Sequence, residues 1–128
     1  MFGGTGKVKM FLLYFVQQIA NSNWMPKMYI AMNRFKIVIG SEIAFEEIWK
    51  ARETHLDNVS GFLEFYLVKG ATEDTHTLYA SHSTWKSQND FVNWTKSEAF
   101  RDAHKRAGEH SEIYLGHPVF EGFEVIPL

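Results

Sequence analysis

Cysteine is missing from all 128 residues. That removes disulfides, thiolate metal sites and cysteine nucleophiles together, permits a reducing compartment such as the cytoplasm, and leaves histidine, carboxylate and amide to hold any metal. Long apolar runs are missing as well. Met10 to Val16 gives seven apolar residues in a row, far short of the roughly 20 that span a bilayer, so no transmembrane helix is expected. Lysines ahead of that run resemble a secretion signal, yet Ile19-Ala20-Asn21-Ser22 makes a poor small-x-small cleavage site. A basic field is absent too. Lys7, Lys9 and Lys27 have no acid near them in residues 1–27, so residues 28–128 hold ten basic against fifteen acidic side chains. Such a balance argues against a nucleic-acid partner. No Walker A loop, Rossmann glycine fingerprint, HExxH or Gly-x-Ser-x-Gly elbow occurs, which removes the usual sequence grounds for nucleotide, zinc-protease or serine-hydrolase chemistry. Gly3-Gly4-Thr5-Gly6-Lys7 is glycine-rich without the P-loop spacing.

What is present is a length suited to one core and a composition of 45% apolar and 16% aromatic residues, which describes one globular, ring-rich domain. Regular patterning begins at Met28. Residues 1–27 therefore read as an N-terminal extension upstream of the natural start or foreign to the domain, and residues 28–128 as the domain itself, free of repeats and Pro- or Ser-rich linkers.

From Met28 to Ile39, alternation sets Tyr29, Ala31, Asn33, Phe35, Ile37 and Ile39 on one side of a strand ending at Gly40. Ser41 is a candidate N-cap for a helix to about His55, with Phe45, Ile48, Trp49, Arg52 and Leu56 as its stripe. Phe62–Lys69 and Thr75–Trp85 read as a hairpin around the loop Gly70–Asp74. Ser87-Gln88-Asn89-Asp90 has the form of a capping box ahead of Phe91 and Trp94. From Ser97, a second helical run places Phe100, Ala103, His104 and Ala107 on one stripe and stops at Gly108. After a loop carrying His110 and His117, Val119–Ile126 is the last strand. The order β-α-β-β-α-α-β predicts an α+β, ferredoxin-like split βαβ domain with an antiparallel sheet. Tyr29, Phe35, Phe65, Tyr79 and Trp85 would make an oversized wet patch on the face that helices leave open, so a homodimer, a dimeric α/β barrel, is expected to cover it.

Three residues break the local apolar logic. His104, on the stripe of Phe100, points its imidazole toward the sheet, either as a hydrogen-bonded core residue or as a metal ligand. Asn33 is the one amide on the inner face of the first strand, where an unpaired group costs roughly 1–3 kcal/mol; neighbouring backbone or a ligand must meet it. Trp85 closes the strand before the helix cap, a position where an indole usually seals the core edge. Lys96, Arg101, Lys105 and Arg106 crowd the helix of His104, as a solvated face or as partners for carboxylates on a ligand.

Met32-Asn33-Arg34-Phe35, Thr84-Trp85-Lys86-Ser87 through Phe91, and Ser97 to Lys105 together resemble the haem-degrading monooxygenases of the IsdG type, within the antibiotic biosynthesis monooxygenase superfamily. The resemblance spans about Met28 to Ile126 and is nearest to the HmuQ/HmuD-like branch, where Leu115-Gly116-His117-Pro118 and Phe120-Glu121-Gly122-Phe123-Glu124 also fit. It implies haem as both substrate and cofactor, His104 as the proximal iron ligand, Asn33 as the distal amide, Trp85 as the bulky pocket residue, and Phe100 and Arg101 among the haem contacts. It further implies opening of the ring at a meso carbon with release of iron and a bilin. The electrons would come from outside the chain, from a reductase using NADPH or from ascorbate. A cofactor-free monooxygenase of the antibiotic-biosynthesis or quinol type would share the fold without using His104 on iron, and a haem-binding protein that is no enzyme would bind haem and leave it intact.

Overall fold

The computed structural model describes Leu12 and residues 27–52, 54–104 and 108–128; apart from Leu12 and Lys27, the extension read over residues 1–27 lies outside the described residues. The elements follow the expected order: β1 Tyr29–Val38, α1 Glu42–Ala51, β2 Phe62–Thr72, β3 His76–Trp85, α2 Gln88–Thr95, α3 Glu98–His104, a 3-10 turn Ser111–Ile113, and β4 Val119–Glu124. The four strands form one antiparallel sheet in the order β2-β3-β1-β4. This is the α+β, ferredoxin-like fold that the pattern predicts.

Period-2 alternation decides which face is buried. On β1, Tyr29, Ala31, Phe35 and Ile37 are buried, and their partners on β3 are Trp85, Ser83, Tyr79 and Thr77. The helices cover that face and divide its rings into two clusters. One gathers Phe35, Ile37, Phe45, Tyr79 and Ile113; the other gathers Tyr29, Ala31, Leu56 and Trp85 with Phe91 and Trp94 against it. The Tyr79 hydroxyl donates to Glu46 Oε2 at 2.6 Å and ties α1 to β3, and burial together with that carboxylate raises the phenol pKa. Tyr29, Phe35, Phe65, Tyr79 and Trp85, the rings expected on the open face under a second copy, thus lie on the helix-covered face instead. The opposite face carries a different apolar set: Tyr66, Val68, Val119 and Phe123 are exposed there, beside Ile30, Met32 and Leu78.

Helix ends depart from expectation in informative ways. α1 stops at Ala51, four residues before His55, because Arg52 adopts an extended backbone and donates its N–H to Trp49 O; that turn lays its side chain back over the helix. Ser41 makes no side-chain cap bond, and Glu42 Oε1 accepts from Gly40 N at 2.7 Å instead. The Ser87 cap forms as expected, its Oγ accepting from Asp90 N at 3.1 Å and donating to Asp90 Oδ2 at 2.9 Å. β2 continues through Gly70 to Thr72 with a register shift, so the loop expected at Gly70–Asp74 is mostly strand. β4 ends at Glu124, two residues short of Ile126.

Candidate active site

Between the two ring clusters lies a cavity of about 850 Å³, toward the large end of the range for sites that enclose a small molecule. Its floor is β1, with Ala31, Asn33 and Phe35, flanked by Ser81 and Ser83 of β3 and by Phe120 of β4; α1, α2 and α3 supply the walls through Trp49, Phe91, Trp94, Phe100 and His104. The helices bridge over the sheet at both ends, and the short side chains of Ala31, Ser81 and Ser83 leave the space between. No helix among the described residues is long and apolar enough to cross a membrane.

His104 is set in place by the start of its own helix. Ser97 Oγ accepts from Phe100 N at 3.1 Å and donates to Trp94 O at 2.6 Å, which joins α3 to α2. One turn further, the imidazole stacks on Phe100 with centroids 4.0 Å apart and meets Trp94 edge-on at 5.8 Å. Its Nδ1 lies 2.8 Å from Phe100 O. A carbonyl only accepts, so Nδ1 carries the hydrogen and Nε2 keeps a bare lone pair. Burial holds the imidazole below its ordinary pKa, and the charge of Arg52 acts in the same direction; the Phe100 carbonyl works against both. The result is a neutral imidazole with one ring nitrogen fixed and the other without a hydrogen bond among the described residues. Such a group is ready to bind a metal or accept a proton.

Asn33 faces this wall from the sheet, between Ser81 and Phe120 in the strand register. Its side-chain amide makes no hydrogen bond to the described residues and lies on the cavity floor. Phe100 lines the wall beside His104.

Trp85 is placed elsewhere. It is completely buried, donates Nε1–H to Ser83 Oγ at 2.9 Å and sits at one end of the same sheet face beneath Phe91 and Trp94, so it does not line the cavity. Of Trp85 and Trp94, the indole that lines the cavity is Trp94, packed 5.4 Å from Trp85 and 4.8 Å from Phe100. Its Nε1 is buried without a partner among the described residues. Arg101 is exposed, donates to Lys96 O at 3.3 Å and does not line the cavity; Lys96 is exposed beside it, and Lys105 and Arg106 lie outside the described residues.

The cation of the cavity wall is Arg52, which the sequence placed only on a helical stripe. Its Nε donates to Ala103 O at 3.2 Å and its guanidinium sits 4.6 Å above the Trp49 ring. Arg52 and His104 therefore border the same end of α3. His117 lines the wall from the loop before β4, where Gly116 takes a left-handed φ of 81°. Among the described residues no three His, Asp or Glu side chains come together, so a bare metal ion finds no cage there. A metal already held by a macrocycle needs only one axial side chain.

Residues 28–106 match the family pattern described as antibiotic biosynthesis monooxygenase. The chain belongs to that family. It is 34% identical over 67 residues to a haem-degrading monooxygenase of Shouchella clausii, a match that covers 52% of this chain and 63% of that relative, less than two thirds of the relative's length. Its fold is that of MhuD, a haem degrader of Mycobacterium tuberculosis solved with two haems in its active site; the TM-score is 0.58 at 22% identity, over 77% of this chain and 95% of MhuD. SnoaB of Streptomyces nogalater, a cofactor-independent oxygenase, superposes at TM-score 0.54 and 18% identity over 76% of this chain and 91% of SnoaB. The chain is thus similar in fold both to a haem degrader and to an oxygenase that needs no cofactor, and fold alone does not separate the two.

Proposed function

We propose that this protein is a haem-degrading monooxygenase that binds haem as substrate in the cavity between β1 and the three helices and opens the ring at a meso carbon. The observation that carries the reading is His104: a neutral imidazole, its Nδ1 spent on Phe100 O and its Nε2 left without a hydrogen bond among the described residues on the cavity wall. Iron-porphyrin chemistry supplies the oxygen activation. On the chain's side, His104 Nε2 would hold the ring's iron, Phe100 and Trp94 would contact the ring from the helical wall, and the rings lining the cavity would limit access of water. The Asn33 amide offers an N–H donor from the opposite side, able to orient an oxidant without releasing an acidic proton. Trp94 takes the role of bulky pocket residue for which Trp85 was proposed. Electrons come from a separate reductase or a small reductant such as ascorbate, because the sequence has no flavin or nicotinamide fingerprint.

Haemin titration tests the reading. Wild-type protein should give a shifted Soret band that His104→Ala loses, and with ascorbate, air and catalase the band should bleach while a bilin appears and a ferrous chelator captures iron. Binding without bleaching would make the protein a haem carrier. Binding that persists equally in His104→Ala would shift weight to the cofactor-free oxygenase, which would use Asn33 and Trp94 around an aromatic organic substrate and has no task for a free Nε2.

A further inference from the structure

Proteins hold haem iron by imidazole, thiolate, thioether or phenolate. Among the described residues that line the cavity, three side chains can offer such a donor: His104, Tyr114 and His117. Tyr114 is a poor one, because burial pushes its phenol above the ordinary pKa and keeps the proton in place, with the charge of Arg52 opposing. Two imidazoles remain, and His117 has no part in the reading above.

The two stand on different walls. His104 hangs from α3, whereas His117 belongs to a bulge at the edge of the sheet. Between the pairs Ile37–Tyr114 and Arg34–Val119, β1 contributes two residues, Phe35 and Lys36, while the returning chain contributes four, Leu115 to Pro118. The surplus pushes that segment out of the ladder, and Gly116, His117 and Pro118 all line the cavity. Gly116 makes the bend at its left-handed φ of 81°, and Leu115 N donates to Lys36 O at 2.8 Å to pin the start of the bulge to β1. Phe35, opposite the bulge, is the neighbour of Asn33 on the floor face, so His117 enters from the side of the cavity that carries the Asn33 amide. It is exposed and makes no hydrogen bond, ion pair or ring contact among the described residues. No bond within them has to break before its imidazole meets a ligand.

We propose that His117 is a second axial ligand for the iron that His104 anchors, approaching from the sheet side, so that the resting ferric complex carries two imidazoles and its oxygen-binding position stays closed until the bulge withdraws. The inference rests on the haem reading above and adds a latch to it. Opening is a ligand exchange with no change in oxidation state: the bond from the His117 nitrogen to iron breaks, and the freed position faces Asn33. On an exposed loop His117 lacks the packing that fixes His104, so it closes on a ring already held, and His104→Ala still loses the Soret band.

Spin state decides the matter. Ferric haemin on the wild-type protein at neutral pH should be six-coordinate and low-spin by electron paramagnetic resonance. His117→Ala should keep the His104-dependent Soret band but turn high-spin; added imidazole should restore the low-spin signal, and azide should bind this variant more tightly than wild type. His110→Asn is the control for the loop, since His110 is exposed, does not line the cavity and sits at φ 66°, a conformation asparagine accepts; it should stay low-spin. A high-spin wild-type complex, a low-spin signal that survives His117→Ala, or an equal loss in His110→Asn would overturn the assignment and leave the haem reading standing on His104. If wild type gives no His104-dependent Soret band, the haem reading fails and the assignment falls with it. Far-UV circular dichroism checks that the variants fold; should His117→Ala not fold, His117→Gln gives the same decision.

Discussion

Two tryptophans nine residues apart do different work, and only packing separates them. Trp85 ends a strand and is sealed at one end of the helix-covered face, whereas Trp94 sits on the helix that follows and borders the void. Trp85→Ala should therefore destabilise the fold by about 3–5 kcal/mol, read as a lower denaturation midpoint, whereas Trp94→Phe should leave the midpoint close to wild type and change the Soret band of bound haem. The reverse pattern would return the pocket role to Trp85. Asn33 and His104 were legible because each is a polar residue on an apolar stripe of fixed period; Trp85 and Trp94 both belong to apolar stripes, so no periodicity tells which indole faces a void. Arg52 was hidden for a similar reason: on a helical stripe it reads as the helix's own edge, and its place on the cavity wall follows from an extended backbone that the stripe does not announce. His104 also carries a pH signature. Its folded pKa lies below the ordinary 6.5, so as pH falls the unfolded chain takes up the proton first, and stability drops progressively below about pH 6.5. His104→Gln should flatten that part of a stability–pH curve measured by chemical denaturation, and haem should stay bound to wild type at pH values somewhat below 6.5, because the ligating form persists there.

At the scale of elements, helix starts control the site more than helix bodies do. α3 is seven residues long, too short to be stable alone, and its first turn depends on Ser97 Oγ, which satisfies Phe100 N and binds Trp94 O. Ser97→Ala should cost about 0.5–2 kcal/mol of stability and, because Phe100 and His104 ride on that turn, also weaken haem binding measured by Soret titration; Ser87→Ala, at the cap of α2, should cost similar stability with a smaller effect on haem. Gly61 guards the same region: at φ 82° any Cβ would come within 2.2 Å of Asp90 Cγ, so Gly61→Ala should disturb the α2 cap and lower the denaturation midpoint. Strands, the hairpin and the Ser87 cap were readable in advance because period-2 alternation and capping chemistry are local. The end of α1, the strand character of Gly70–Thr72 and the 3-10 turn at Ser111–Ile113 were not, since tertiary contacts set each of them: Arg52 over Trp49, the Thr72–Thr77 hydroxyl pair at 3.0 Å, and buried Ile113 beside the bridge from Tyr114 to Ile37.

For the molecule as a whole, the sheet separates two tasks. Its inner face, with the helices, makes the cavity within one chain. Its outer face presents Tyr66, Val68, Val119 and Phe123 to solvent around Ile30, Met32 and Leu78, an apolar surface of the kind that in an isolated domain invites a partner. The expectation of a homodimer thus keeps its logic with a different set of residues, because a two-fold axis can lay one such face against its copy. The wild-type chain should run at about twice its 14.9 kDa mass in light scattering coupled to gel filtration. Carboxylates on this face repel across the axis, so a Tyr66→Glu/Val119→Glu variant should run as a monomer with its circular dichroism unchanged. Since His104 and the cavity lie on the sheet face opposite this patch, that monomer should still bind haemin through His104. A variant that loses haem as it dissociates would show instead that the partner copy holds the helices over the cavity, and a wild type that is monomeric at micromolar concentration would remove the dimer altogether.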